Sequence, residues 1–217
     1  MTRPHVLVID AGLGNIGSVV AALQRQDCDV RKLKEPPASQ LQHPFTHVVL
    51  PGVGAFAAGM HALNSTGWSA WIKNVWLEVD RPLLGICLGM QLLASHGVEG
   101  SQDGSDIAGL DLVPGHVERL AIDPQLALPH VGWNSLYWKH TGHQLSKSIP
   151  AGGDMYFVHS YAFQTFAPAD CLAVSDYGDK FAAVVGRGMC LGVQFHPEKS
   201  QRLGRFLLAN FLGMTSC

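Results

Sequence analysis

The chain has 217 residues, of which 47% are hydrophobic and 15% charged, with a formal net charge of −2. That length and apolar content suit one compact domain with a sizeable core, and the near-neutral balance gives no electrostatic footprint for nucleic acid or a membrane surface. No apolar stretch reaches the roughly 20 residues of a membrane span, no signal-peptide layout opens the chain, and five cysteines without regular spacing argue against a disulfide framework, so a reducing cytoplasm is the expected compartment.

Residues 6–9 read as a buried strand, and residues 15–26 as an amphipathic helix with apolar side chains at 16, 19, 20 and 23. Between them stands Gly12-Leu13-Gly14-Asn15-Ile16-Gly17, a G-x-G-x-x-G pattern in a strand-to-helix turn, with Glu35 beyond it. This is the context of a dinucleotide fingerprint, and an oxidoreductase is one reading of it. Asp10 weakens that reading, because its charge would sit near a pyrophosphate. Strands are expected at 30–33, 47–50 and 83–86, and a helix at 68–79. Alternation of strand and helix through this half predicts a parallel sheet covered by helices. The second half predicts strands at 155–163, 172–175, 182–185 and 189–195, at spacings that suit hairpins. A last helix over 200–211 has Ser200 as its candidate N-cap. Pro36-Pro37 and residues 100–106 read as loops. His140-Thr141-Gly142-His143 also reads as a solvated loop, and no metal site is expected.

Three segments carry chemistry. Gly85-Ile86-Cys87-Leu88-Gly89 lies between a strand and Met90-Gln91-Leu92-Leu93, as in a nucleophile elbow, a tight turn that raises one side chain above a sheet. The helix that follows would aim its free N–H groups at the sulfur and favour thiolate. His196-Pro197-Glu198 follows the strand at 189–195. On an extended segment His196 and Glu198 would point the same way, giving a base and the group that orients it. Pro51-Gly52-Val53-Gly54 follows the strand at 47–50. Its backbone N–H groups at Gly52 and Val53, with that of Leu88, would stabilise an oxyanion. Cys28, Cys171, Cys190 and Cys217 have no comparable setting and are expected to be packing or surface residues.

In order and spacing these segments resemble the class I, triad-type glutamine amidotransferases, and the resemblance runs from the first strand to the last helix. It implies one α/β domain over residues 1–217: a central, mostly parallel sheet flanked by helices, with antiparallel strands in the C-terminal half. It implies that Cys87, His196 and Glu198 hydrolyse glutamine without a cofactor, that Gln91, Glu99, His159, Ser160 and Tyr161 bind the substrate, and that ammonia is the useful product. Pro129-His130-Val131-Gly132-Trp133-Asn134 and Tyr156-Phe157-Val158-His159-Ser160-Tyr161 are similar to the branch that passes ammonia to a (β/α)8-barrel cyclase in histidine biosynthesis, as a heterodimer. In that branch Tyr156, Lys199 and Trp133 match positions at the partner interface, although Tyr156 also suits a half-buried strand and Trp133 the core. The loop at 10–17 departs from relatives, which commonly carry tyrosine where Ala11 stands and arginine where Gly17 stands. A paralogous protein that amidates a sugar for surface polysaccharide therefore remains an alternative, as does a non-catalytic regulatory role.

Overall fold

The structure is a computed structural model and describes residues 3–14, 16–37, 45–123, 125–140 and 142–215. Asn15, Thr141 and Cys217 lie outside the described residues.

The elements follow in chain order: β1 (His5–Ile9), α1 (Ile16–Gln24), β2 (Asp29–Leu33), β3 (His47–Gly52), α2 (Phe56–Ser65), α3 (Trp68–Trp71), β4 (Leu83–Cys87) and α4 (Leu88–Gln91). Then come β5 (His96–Gly97), β6 (Ile107–Ala108), β7 (Gly115–Arg119), β8 (His130–Trp138), β9 (Gly153–His159), β10 (Tyr161–Thr165), β11 (Cys171–Tyr177), β12 (Asp179–Arg187), β13 (Cys190–Val193) and α5 (Gln201–Leu212). Among the described residues the strands form two sheets. One has the order β2-β1-β3-β4-β13-β12-β11-β8-β9 and the other β10-β7-β5-β6. The large sheet is parallel from β2 to β13 and antiparallel beyond, so the two halves of the chain differ as the sequence predicts.

Both faces of the parallel region are covered, which is why its strands read as continuous apolar runs. Val6 and Val8 point into one core with Ile16 and Val19 of α1 and Leu207 and Phe211 of α5. Leu7 and Ile9 point into the other, with Phe56 and Met60 of α2 and Trp68 beyond it. The apolar period of α1 is as expected. The helical stretch at 68–79 is broken in character: α3 passes into a π-helical turn (Ile72–Trp76) and a 3₁₀ turn (Leu77–Val79).

Several elements differ from the sequence reading. The α2 helix, rich in small residues, gave no strong period. The short β5 and β6, and β7 and β8 with their mixed burial, also gave no run to detect. The expected single strand at 155–163 bends at Ser160 and changes sheets, because β9 pairs with β8 while β10 pairs with β7. Ser200 stands at the N-cap of α5 but makes no side-chain cap. Its hydroxyl donates to the carbonyl of His196 (2.6 Å) and accepts from the amide of Tyr156 (3.0 Å). His143 is half-buried rather than solvated, its ring stacked on Trp138. The four described cysteines are free and buried.

A buried histidine makes the fold acid-sensitive. His47 lies in β3 with Nε2 3.1 Å from the carbonyl of Met214, which anchors the end of the chain. Burial pushes its pKa down from 6.5 to about 4, against the pull of the Met214 and Phe211 carbonyls. The unfolded chain therefore binds a proton that the folded chain refuses. This contribution is full above pH 6.5 and is lost as pH falls towards 4, to a total of about 3 kcal/mol. Urea unfolding at pH 7 and pH 4.5 should show wild type losing more stability over that interval than His47→Gln.

Candidate active site

Three parallel neighbours, β3, β4 and β13, end on the same side of the sheet. Gly52 pairs in register with Cys87, and Val193 with Ile86. This registry brings the segments at 51–54, 85–89 and 194–198 together at the carboxyl ends of the strands, where open α/β sheets bind ligands. Cys87 has φ +55° and ψ −110°, a strained conformation for a residue with a Cβ. The elbow closes because Gly89 passes against β3: a Cβ there would meet the Leu50 carbonyl oxygen at 1.8 Å.

His196 Nδ1 donates to Glu198 Oε1 at 2.8 Å, and both side chains are buried. Nε2 is left for Cys87. The pair does not sit on an extended segment as expected; Pro197–Lys199 is a 3₁₀ turn, which carries Glu198 back to the ring. Burial opposes the imidazolium, but hydrogen bonds to Cys87 and Glu198 and their charges outweigh it, and the His196 pKa rises to about 9. His196 can thus hold a proton across neutral pH, ready for a leaving amine.

Cys87 and His196 open into a cavity of about 370 Å³ that also presents Gln91, Glu99, Ser160 and Tyr161. All five expected substrate-binding residues line it. Glu99 has its carboxyl pushed up by burial, against a hydrogen bond from the Phe56 backbone at the start of α2. Both ring nitrogens of His159 are engaged within the protein. Its Nδ1 is 2.9 Å from the Tyr161 carbonyl and its Nε2 3.2 Å from His130 Nδ1. The Asn134 amide nitrogen lies 3.3 Å from His130 Nε2 and donates to the Asp176 carbonyl. Burial holds both rings to the neutral form, with His159 at about 3. A carbonyl at one end and an amide donor at the other permit one proton arrangement: Asn134 donates to His130, His130 to His159, and His159 to Tyr161. This relay fixes the bend at Ser160, which lines the cavity.

The three expected oxyanion donors differ in their setting. Gly52 and Leu88 flank Cys87, whereas the Val53 N–H donates to the Leu13 carbonyl at 2.8 Å. Gly14 permits that contact, since a Cβ there would strike Val53 Cγ2 at 2.0 Å. Gly14 thus serves a close approach to the 51–54 turn.

The chain matches the family model described as glutamine amidotransferase class-I over residues 7–214. The chain belongs to the class I glutamine amidotransferase family. Among curated relatives of this amidotransferase, the imidazole glycerol phosphate synthase subunit HisH 1 of Prochlorococcus marinus is 55% identical over 214 residues, 98% of each chain. The HisH subunit of Halalkalibacterium halodurans is 43% identical, over 95% of this chain and 94% of its own. Solved structures share the amidotransferase fold. A glutamine amidotransferase from Thermotoga maritima superposes with a TM-score of 0.66 at 17% identity, covering 99% of this chain and 100% of that one. PurLQS from Thermotoga maritima gives 0.72 at 14%, covering 97% and 98%.

Lys199 lines the cavity of this amidotransferase and lies with its Nζ 5.8 Å from the Tyr156 ring of β9, which Trp133 of β8 meets edge to face at 5.7 Å. Trp133 is 48% exposed, not core, and Val131 on the same strand face is 56% exposed. The sequence reading gave no role to Leu13, His130, Asn134 or Gln194, although the first three stand in segments it singled out; their partners are distant in the chain.

Proposed function

We propose that this chain is the glutaminase subunit of imidazole glycerol phosphate synthase. The observation that carries the pathway is the 55% identity to the Prochlorococcus marinus protein over 98% of both chains. The geometry supports the chemistry. The Cys87 thiolate attacks the side-chain carbonyl of glutamine, and Leu88, with Val53 once its N–H is released, stabilises the oxyanion. His196, held by Glu198, gives its proton to the departing nitrogen. Ammonia leaves and a γ-glutamyl thioester stays on Cys87. His196 then takes a proton from water, hydroxide adds to the thioester, and glutamate is released with regeneration of the thiolate. Glu99 and the backbone of residues 159–161 suit the two ends of the amino-acid zwitterion, and Gln91 lies beside them.

Val131, Trp133 and Lys199 are exposed around the half-buried Tyr156, and Lys199 also lines the cavity, so this group suits docking of a (β/α)8-barrel cyclase, to which ammonia passes without entering bulk water. The acceptor is the ribulosyl-formimino-aminoimidazole carboxamide ribotide. Residues 1–217 form one amidotransferase domain working in the cytoplasm; among the described residues no helix is long and apolar enough to cross a membrane. The test uses glutamine labelled with ¹⁵N at its amide. With a histidine-pathway cyclase, the label should enter the imidazole product even in excess unlabelled ammonium. Label entering an amidated sugar instead would move the chain to the paralogous pathway.

A further inference from the structure

We propose that Gln194 holds the nucleophile: its side-chain amide donates a hydrogen bond to Cys87 Sγ that keeps the sulfur ionised and aimed at the cavity. The inference rests on the glutaminase reading and adds to it a residue outside the triad.

The helix expected to favour thiolate is a single turn, Leu88–Gln91. A macrodipole needs aligned peptides over several turns, so this one has little to offer. The sulfur has another acceptor against it, because the Val158 carbonyl lies 3.7 Å away. That contact suits a thiol, which can donate to it, and repels a thiolate. Gln194 Nε2 approaches the sulfur at 3.8 Å and supplies a donor besides His196.

The direction of the amide is forced. The Tyr161 carbonyl can only accept, so the nitrogen of Gln91 faces it, at 2.9 Å. The same nitrogen is 3.1 Å from Gln194 Oε1. With its oxygen end taken, Gln194 can present only its nitrogen to the sulfur. The residue is fully buried, and its backbone N–H is tied to the Ala183 carbonyl at 2.9 Å. Glutamine suits this place physically. A neutral amide donates without competing with His196 for the proton, whereas an apolar side chain would leave Val158 opposed by His196 alone. The network also connects Sγ, through Gln91, to Tyr161 in the segment that faces substrate.

The test is the rate at which iodoacetamide alkylates Cys87, followed by peptide mass spectrometry at pH 6.5 and pH 10. Gln194→Met should slow alkylation at pH 6.5 on the order of tenfold, the worth of one hydrogen bond to a charged acceptor. At pH 10 the rate should be unchanged or rise up to about threefold, because a thiolate relieved of its donor is the better nucleophile. Gln91→Met keeps Gln194 but releases its orientation, and should give the same pattern at smaller size. The other titratable groups at the site, His196, Glu198, Glu99, His159 and Lys199, are present in both variants. Equal slowing at both pH values, or no slowing, in either folded variant would overturn the proposal and leave Gln194 a packing residue. Glutamate release by wild type with its cyclase is measured in parallel. Failure there with the alkylation pattern intact would remove the enzymatic reading and spare the role of Gln194.

Discussion

Cys87→Ala should abolish glutamate release from glutamine, by a factor of about 10⁴ or more, while the complex with its cyclase still makes imidazole product from added ammonium. The two activities separate because the chain uses its thiol only to free ammonia. Ammonia supplied from solution bypasses that step. The substitution is also a clean one for the fold. Alanine keeps the Cβ that makes φ +55° strained, so the elbow gains no relief and the backbone has no new reason to move. What is lost is one buried sulfur and its contacts with His196, the Gln194 amide and the Val158 carbonyl. Loss of both activities in a folded complex would make Cys87 structural and would refute the triad. Retained glutamate release would place the nucleophile elsewhere.

The expected triad is local in its parts, and the structure pairs His196 with Glu198 at 2.8 Å. Strand, turn and small residues around Cys87 describe an elbow within five positions, and His196 and Glu198 are two residues apart. The parallel architecture was legible for the same reason, through apolar runs such as Val6–Val8 that only a sheet buried on both faces requires. What the sequence withheld is contact between distant segments. Leu13 meets Val53, and His130 meets His159, only after β1 has paired with β3 and β8 with β9. The G-x-G-x-x-G pattern shows the cost of reading a turn alone. Glycine at 14 answers a need for close approach, and the sequence names the need without naming the neighbour. His159 shows the converse: its place beside the cavity was expected, yet its ring is tied to His130 and the Tyr161 carbonyl, contacts that no local pattern gives.

Those distant contacts also set the second large effect. Glutaminase turnover by the chain alone should be low, and docking of the cyclase with its nucleotide ligand should raise it about 10²- to 10³-fold, the value of one preorganised oxyanion donor. The donor in question is the Val53 N–H, now bonded to the Leu13 carbonyl at 2.8 Å and so directed away from the oxyanion. A single backbone hydrogen bond contributes about 0.5–1.5 kcal/mol net, which a docking partner can readily offset if it binds the released form better. Val53 is 44% exposed and lies at the cavity mouth with Lys199, so the proposed docking face reaches the switch directly. Glutamate release measured with and without partner checks this, and equal turnover would refute it. Gly14→Ala sharpens the test. Its methyl group would occupy the space of Val53 Cγ2, prise the pair apart, raise unstimulated turnover and bring the stimulation ratio down. An unaltered ratio in that variant would mean that the Leu13–Val53 bond restrains nothing, and that the partner acts on some other part of the site.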